Sequence, residues 1–148
     1  MRRLAPLLVA GFVLAACGGS GHKAGSTTTT DSSAADRAQI TSAYEQFFSA
    51  KTPLTDRIAV LENGPKFKTV VQGFASNPLA KNVTATVSSV RLEGPNTAKV
   101  VYKVKFAGSS LPTETGTAVR QNGTWKVGDA SLCKLIALQG STPPACKP

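Results

Sequence analysis

The sequence predicts an α+β domain in which N-terminal helices pack on one face of a four-stranded antiparallel meander, followed by a short C-terminal helix. Three observations lead to this prediction. Apolar residues recur at helical spacing in the first part of the domain, they alternate with a period of two from residue 83 onward, and an Asn-Gly pair marks a tight hairpin late in the chain. At 148 residues, the chain is long enough for one domain of ordinary size.

The first half of the domain is predicted to be helical. We expect it to begin near Asp36, because Ser33-Ala34-Ala35-Asp36 has the spacing of a capping box with an acid in the last position. A second, short helix carries Ile58 and Leu61 and stops at Asn63-Gly64, and a third begins at Pro65 and ends before Asn77-Pro78. The first helix covers residues 36–50, and its apolar face carries Ile40, Ala43, Tyr44, Phe47 and Phe48.

From Val83 onward the alternation predicts strands. A phase slip at Ser88-Ser89 indicates a bulge in the first strand, and Gly94-Pro95-Asn96 turns the chain into a second strand over 97–106. A loop over 109–112 leads to a third strand near 113–121, and Asn122-Gly123 is a type I′ signal for the return along a fourth. Asp129 or Ser131 then caps a final short helix. Helices followed by a meander favour the α+β class.

The N-terminal segment indicates export and lipid anchoring. Met1-Arg2-Arg3 is a short basic region, and the apolar run that follows is shorter than the roughly 18 residues that span a bilayer. The run ends in Leu14-Ala15-Ala16-Cys17, which resembles the bacterial lipobox. The resemblance implies diacylglyceryl transfer to Cys17, cleavage after Ala16 by the lipoprotein signal peptidase, and N-acylation of the new terminus. The alternative is an ordinary secretory signal with a coincidental cysteine.

The expected partners are therefore the processing enzymes and the membrane, reached through the lipid anchor on its extracytoplasmic face. The predicted organisation is a signal peptide over 1–16, lipidated Cys17 with a flexible Ser/Thr/Gly tether over 17–35, a globular domain over 36–140 and a tail over 141–148. Removal of Arg2 and Arg3 leaves 15 basic and 8 acidic residues. That excess suits an anionic lipid or cell-wall polymer, and it equally suits plain solubility.

Several stretches of the domain together form a family pattern: Ala38 to Ser42, Leu61 to Gly64, the alternating segments around 83–92 and 97–106, Asn122 to Val127, and Leu132 to Leu135. They resemble the C-terminal domain of the mycobacterial low-molecular-weight antigen family over roughly residues 36–140. The resemblance implies a curved, cone-like sheet, similar to nuclear transport factor 2-like and cystatin-like domains, in an exported protein. The family has no established reaction, so the resemblance implies a fold and a compartment.

Two cysteines remain once Cys17 is assigned to lipid. In an oxidising compartment, Cys133 and Cys146 form the candidate disulfide, which would contribute about 3 kcal/mol in the chain-entropy model and fix the tail to the final helix. The alternative is a buried thiol at Cys133 and a free one at Cys146.

The sequence offers no catalytic or metal-binding set. Metal-ligand spacings, nucleophile triads and phosphate loops are absent, and the single His22 lies in the tether, so we predict a non-catalytic binding domain without cofactor or metal. The alternative is a small ketosteroid-isomerase-like enzyme that pairs Tyr44 or Tyr102 with Asp56 or Glu62 in the cone pocket. A pocket filled by aromatic side chains would favour the binding domain: Phe47, Phe67, Phe74, Phe106 and Trp125.

A basic stripe lies on the predicted second strand. Lys99, Lys103 and Lys105 alternate with apolar residues, and Arg120 and Lys126 on neighbouring strands extend the candidate surface. Docking to anionic lipid or cell-wall polymer is the functional hypothesis. Lysines that protect an exposed strand from aggregation are the alternative. Nucleic acid is not expected as a partner, because no stacking aromatics are interleaved with the lysines.

Overall fold

The computed structural model describes residues 27–137, 140 and 142–147. Its helices are α1 (Thr27–Phe48), α2 (Leu54–Ala59), α3 (Lys68–Ala75) and α4 (Asp129–Ala137). Its strands are β1 (Thr84–Leu92), β2 (Thr97–Phe106), β3 (Ser109–Ser110), β4 (Glu114–Gln121) and β5 (Thr124–Val127). Short 3-10 turns cover Gly64–Phe67, Pro78–Asn82 and Pro144–Cys146.

The strands form one antiparallel sheet in the order β1-β2-β4-β5, and the two-residue β3 pairs with the end of β2. The sheet curls into a half-barrel, and α1 contacts both β1 at one edge and β5 at the other. These contacts agree with a sheet that curves around the helix. The α+β class, the order of the elements and the curved meander are therefore confirmed.

Two irregularities of the sheet follow from the sequence. The register between β1 and β2 shifts between Val87 and Ser89, which confirms the predicted bulge. Because of this shift, Val87 before the bulge and Val90 after it both pack against the core. The β4–β5 turn has positive φ at both central residues, 53° at Asn122 and 78° at Gly123, as a type I′ turn requires.

The outer edge of β5 is covered by a segment that the sequence predicted to be helical. α2 ends at Ala59, and Leu61 forms a parallel bridge with Val127 instead of continuing the helix. The N–H of Val127 donates to the carbonyl of Val60 and the N–H of Glu62 donates to the carbonyl of Val127, both at 2.8 Å. The predicted helical position of Leu61 was wrong, because pairing with β5 satisfies edge backbone groups and buries the leucine completely.

Helix α1 begins at Thr27, N-terminal to the start predicted at Asp36. The capping box predicted over 33–36 lies inside the helix, where Arg37 donates to the Ser33 hydroxyl at 3.3 Å and Asp36 pairs with Arg120 of β4. The flexible tether predicted over 17–35 therefore overlaps the helix from Thr27 onward. The physical reason is that packing from Ile40 onward fixes the helix against the sheet, and extending a formed helix costs little.

The core fills the space between α1 and the concave side of the sheet. Helix α4 follows β5 directly and buries Leu132 and Ile136 against the core. Ser131, one of the two predicted caps of α4, accepts a hydrogen bond from the N–H of Thr117 in β4 at 2.8 Å instead of capping the helix. The largest fully buried side chains are Trp125, Tyr44, Tyr102, Phe67, Ile40, Leu61, Val100 and Val127.

Candidate functional site

An open apolar pocket lies where the C-terminal end of α1, the short helices and one end of the sheet meet. Its volume is about 470 Å³, which is within the range of small-molecule sites. The lining residues are mainly aliphatic or aromatic: Phe47, Phe48, Arg57, Val71, Phe74, Ala80, Val83, Val104, Phe106, Leu111, Pro112, Glu114, Leu132 and Leu135.

The local sequence explains why this end of the molecule is apolar. Alternation along β2 turns Val104 and Phe106 toward the same side as the core, and α1 ends on the adjacent Phe47 and Phe48. Leu111 lies in the loop after β3 and remains 44% exposed at the pocket.

Among the lining residues, two carry charge. Glu114 begins β4, and its carboxylate is 3.2 Å from the ammonium of Lys134, so its charge is balanced within the protein. Arg57 of α2 donates from Nε to the carbonyl of Thr52 at 3.1 Å, but no carboxylate in the described part of the chain lies within ion-pair distance of it. Burial lowers the pKa of Arg57, yet an arginine remains ionised at neutral pH. The pocket therefore carries one uncompensated positive charge.

A buried polar cluster lies behind the pocket and joins α1, β4 and α4. The hydroxyl of Tyr44 donates to the carbonyl of Thr117 at 2.7 Å and lies 3.3 Å from the hydroxyl of Ser131. Burial raises the pKa of Tyr44, and the hydrogen bond with Ser131 opposes this shift. The phenol is protonated at neutral pH, so the cluster acts as a structural connection between the three elements.

The two tyrosines predicted for an isomerase-like site lie together, with ring centroids 4.9 Å apart, but neither predicted carboxylate is hydrogen-bonded to them. Tyr44 and Tyr102 are enclosed in the core, Asp56 is exposed on α2, and Glu62 accepts a hydrogen bond from the N–H of Asp129 at 3.1 Å. None of the four candidates lines the pocket. Burial, with a further contribution from Glu114, raises the pKa of Tyr102 to about 12.

The aromatic residues expected to fill the pocket divide into two sets. Phe47, Phe74 and Phe106 line the open pocket, whereas Phe67 and Trp125 are buried in the core. Neither charged lining residue, Arg57 or Glu114, was predicted from the sequence. Neither belongs to a motif, and their proximity to the pocket depends on how separate elements meet in the fold.

One family model matches this chain over residues 33–143: Low molecular weight antigen MTB12, C-terminal domain. The chain belongs to this family. The matched range includes the whole sheet, the pocket and the buried polar cluster. The family consists of antigen-like domains and is not a known family of enzymes. A comparison with the curated proteins gives no match.

In this MTB12-type domain, the five residues predicted to form a basic surface lie on two faces of the sheet. Lys99, Lys103 and Lys105 occupy the exposed positions of β2, and Lys99 also lies 3.7 Å from Glu93. Lys126 pairs in register with Val119 and follows the buried Trp125 in β5. Because successive side chains of a strand point to opposite faces, Lys126 faces outward as well.

Arg120 does not belong to this outer surface. It pairs in register with Trp125, its guanidinium lies 4.8 Å from the Trp125 ring centroid, and it forms an ion pair with Asp36 of α1. Arg91, which the sequence analysis did not include, is opposite Lys99 in register and is exposed.

A disulfide, as the sequence predicted, links α4 of the MTB12-type domain to the segment that follows it. Cys133 of α4 is bonded to Cys146, with their Cα atoms 5.5 Å apart. This bond holds the turn Pro144–Cys146 against α4, where Cys146 packs on the core.

The N-terminal predictions lie outside the described residues. These are the signal peptide, the lipobox residues Leu14, Ala15, Ala16 and Cys17, and the tether histidine His22. Within the part of the chain that the structure does describe, no helix is long and apolar enough to cross a membrane. The same part contains no group of three or more His, Cys, Asp or Glu side chains that could hold a metal ion.

Proposed function

We propose that this protein is an exported lipoprotein whose MTB12-type domain is a non-catalytic module that binds an apolar ligand at the outer face of the cell membrane. The observation that supports binding is the open pocket of about 470 Å³ with an almost entirely apolar lining. Arg57 and Glu114 are the titratable groups among its lining residues, and Glu114 is already paired with Lys134. The lining supplies no nucleophile with an adjacent base, which favours binding over catalysis.

The anchoring part of the proposal is supported by the sequence. The chain begins with a basic region, continues with a short apolar run and then reaches Leu14-Ala15-Ala16-Cys17. This is the order of features that lipoprotein processing requires. Diacylglyceryl and N-acyl chains on one cysteine would hold the protein stably, because two or more buried chains anchor far better than one.

Metabolic labelling with a fatty-acid analogue tests the anchor. The full chain made in an actinobacterial host should take up the label and enter the detergent phase. Cys17→Ser should lose the label and release the protein to the medium, whereas the double variant Cys133→Ser/Cys146→Ser should keep the label. Label retained in Cys17→Ser would contradict the proposal.

Native mass spectrometry tests the binding part. Protein purified from its own host should carry a non-covalent apolar ligand. Ala80→Trp, which places an indole in the pocket lining, should abolish the added mass, and Ala75→Trp, at an exposed position of α3, should retain it. Equal occupancy in the two variants would show that the ligand lies elsewhere.

We also propose that the outer sheet surface contacts anionic lipid or cell-wall polymer. The supporting observation is that Lys103 and Lys105 are exposed on one face and form no ion pair with a described residue. Binding to anionic vesicles should weaken as salt rises, and Lys103→Gln/Lys105→Gln should weaken it further. If the double variant sediments with vesicles as the native protein does, the lysines serve solubility alone.

A further inference from the structure

We infer that the pocket takes a single-chain amphiphile with an anionic group, whose chain lies among the apolar lining residues and whose charge lies against Arg57. The inference rests on the proposed binding function of the pocket and specifies the chemical class of its ligand.

The lining and size of the pocket favour one hydrocarbon chain. Aromatic and aliphatic side chains from α1, α3, β2 and α4 surround the cavity, and an apolar ligand part gains free energy from each methylene that it buries there. The volume of about 470 Å³ lies in the lower half of the range for small-molecule sites. A lipid with several long chains would need more space.

The charges at the pocket favour an anionic group. The side chain of Arg57 makes one hydrogen bond within the described part of the chain, from Nε to the carbonyl of Thr52, and its other guanidinium N–H groups have no acceptor there. Its planar guanidinium matches both carboxylate and phosphate geometry. Glu114, the lining residue of opposite sign, already has Lys134 at 3.2 Å. A cationic ligand would therefore meet one balanced carboxylate and one repelling cation.

A purely neutral ligand fits less well. Filling the pocket with hydrocarbon would remove water from a guanidinium that burial already affects, as the lowered pKa of Arg57 indicates. Desolvating a charge without a partner is unfavourable, whereas an anion at the same place restores a charge-assisted hydrogen bond.

A binding series with matched ligands tests this inference. The protein is the mature chain, residues 17–148, carrying Cys17→Ser so that no detergent is needed. The probes are dodecanoate, its uncharged methyl ester, dodecylammonium and a lysophosphatidate with the same chain, all used as monomers in calorimetry. We expect dodecanoate to bind about tenfold or more tightly than the methyl ester. Tighter binding of the lysophosphatidate would also support the inference and would identify phosphate as the preferred group.

Variants assign the discrimination to one side chain. Arg57→Gln should weaken dodecanoate binding by about tenfold and should not weaken binding of the methyl ester, which also reports that the variant is folded. Arg57→Lys should keep a preference for the acid. Lys51→Gln removes the same charge at an exposed position just before α2 and should leave the preference intact.

The outcomes separate the inference from the proposed function. Equal affinity for acid and ester, unchanged in Arg57→Gln, would overturn the inference while the binding function stands. Tighter binding of dodecylammonium would overturn it by reversing the sign of the preferred charge. Failure of every probe to bind would overturn both.

Discussion

At the scale of single residues, one hydroxyl determines how the sheet ends. β5 stops pairing with β4 at Val127, and the next backbone N–H, from Gly128, donates to the carbonyl of Thr117 at 2.8 Å. The N–H of Thr117 then has no strand partner on that side and donates to the hydroxyl of Ser131 at 2.8 Å. Ser131 is 4% exposed, so water does not readily replace it. The serine therefore completes the backbone hydrogen bonding of β4.

Removing the hydroxyl of Ser131 should lower the free energy of unfolding more than removing the neighbouring hydroxyl of Tyr44 does. Ser131→Ala leaves the N–H of Thr117 without an acceptor, and we expect a loss of about 1–3 kcal/mol in the free energy of unfolding. Tyr44→Phe should cost about 1 kcal/mol, because the Thr117 carbonyl keeps its bond from Gly128. Tyr102→Phe is the control, since its hydroxyl bonds to no described residue. Urea denaturation measures all three, and the reverse order would contradict this account.

Glu62 should make stability depend on pH in the acidic range. Burial and the neighbouring Asp129 carboxylate raise the pKa of Glu62, although the hydrogen bond from the Asp129 N–H opposes them. The folded state therefore holds this proton more tightly than the unfolded chain does, so stability falls as pH rises above the ordinary glutamate pKa of about 4.3. Glu62→Gln should lessen that fall, because the amide oxygen still accepts the hydrogen bond and does not ionise.

Denaturation curves recorded between about pH 3.5 and 7 measure this effect. The interval covers the ordinary glutamate pKa of about 4.3 and the upward shift in the folded state. Glu45→Gln, at an exposed position of α1, removes an equal charge and is the control. If both variants change the pH profile equally, general charge repulsion explains the dependence, and the surroundings of Glu62 do not.

At the scale of elements, α1, β4 and α4 meet at one glycine. A Cβ added at Gly116 of β4 would lie 2.5 Å from the hydroxyl oxygen of Tyr44 and 2.7 Å from that of Ser131. Both neighbours belong to the hydrogen-bonded cluster and cannot move without breaking it. The absence of a side chain at this position sets how closely the two helices approach the sheet.

Gly116→Ala should therefore destabilise the domain by about 1–3 kcal/mol through overpacking. Gly73→Ala is the matched control, because nothing lies within 4 Å of its added Cβ in α3. That change should stabilise the helix by about 0.5–1 kcal/mol. Thermal unfolding of the two variants gives opposite shifts if this account is correct. A Gly116→Ala variant as stable as the native protein would show that the cluster can rearrange.

The disulfide connects α4 to the tail, whose Ala145 and Cys146 pack against the core. Cys133 and Cys146 are separated by 13 residues, so their bond restricts a short loop. Replacing both by serine should lower the free energy of unfolding by about 2–4 kcal/mol. A reductant should destabilise the native protein and leave the double variant unaffected. If the variant matches the oxidised protein, the disulfide contributes nothing to stability.

At the scale of the whole molecule, α1 is the element around which the half-barrel closes. It contacts both sheet edges, and Arg37 donates to the carbonyl of Val90 in β1 while Asp36 pairs with Arg120 in β4. Among the described residues, the buried hydrophobic ones run from Ile40 to Ile136, and the family match begins at residue 33. The contacts and the family match therefore include α1 from about residue 33 onward in the folded domain.

A chain that begins at residue 33 should keep its stability. We expect its free energy of unfolding to agree with that of residues 17–148 carrying Cys17→Ser within about 0.5 kcal/mol, the usual range for changes away from the core. Chemical denaturation of the two chains is the measurement. A loss of more than about 1 kcal/mol would mean that the first turns of α1 stabilise the domain through contacts of their own.

The sequence alone determined the features that depend on neighbouring residues. The bulge before Ser89 follows from a phase change in alternation, and the turn at Asn122-Gly123 follows from residues that accept positive φ. The pairing of Cys133 with Cys146 was also predicted from the sequence, because few cysteines were available once Cys17 was assigned to lipid.

Only the tertiary structure decided the features that depend on contacts between distant segments. The extended path of Leu61 beside Val127 and the inward position of Arg120 both result from pairing with elements far along the chain. The pocket is the clearest case, because Arg57 and Glu114 become its charged residues only when α2 and β4 meet at the open end of the half-barrel. Local propensity and periodicity describe one element at a time, whereas a binding site depends on how several elements are placed relative to one another.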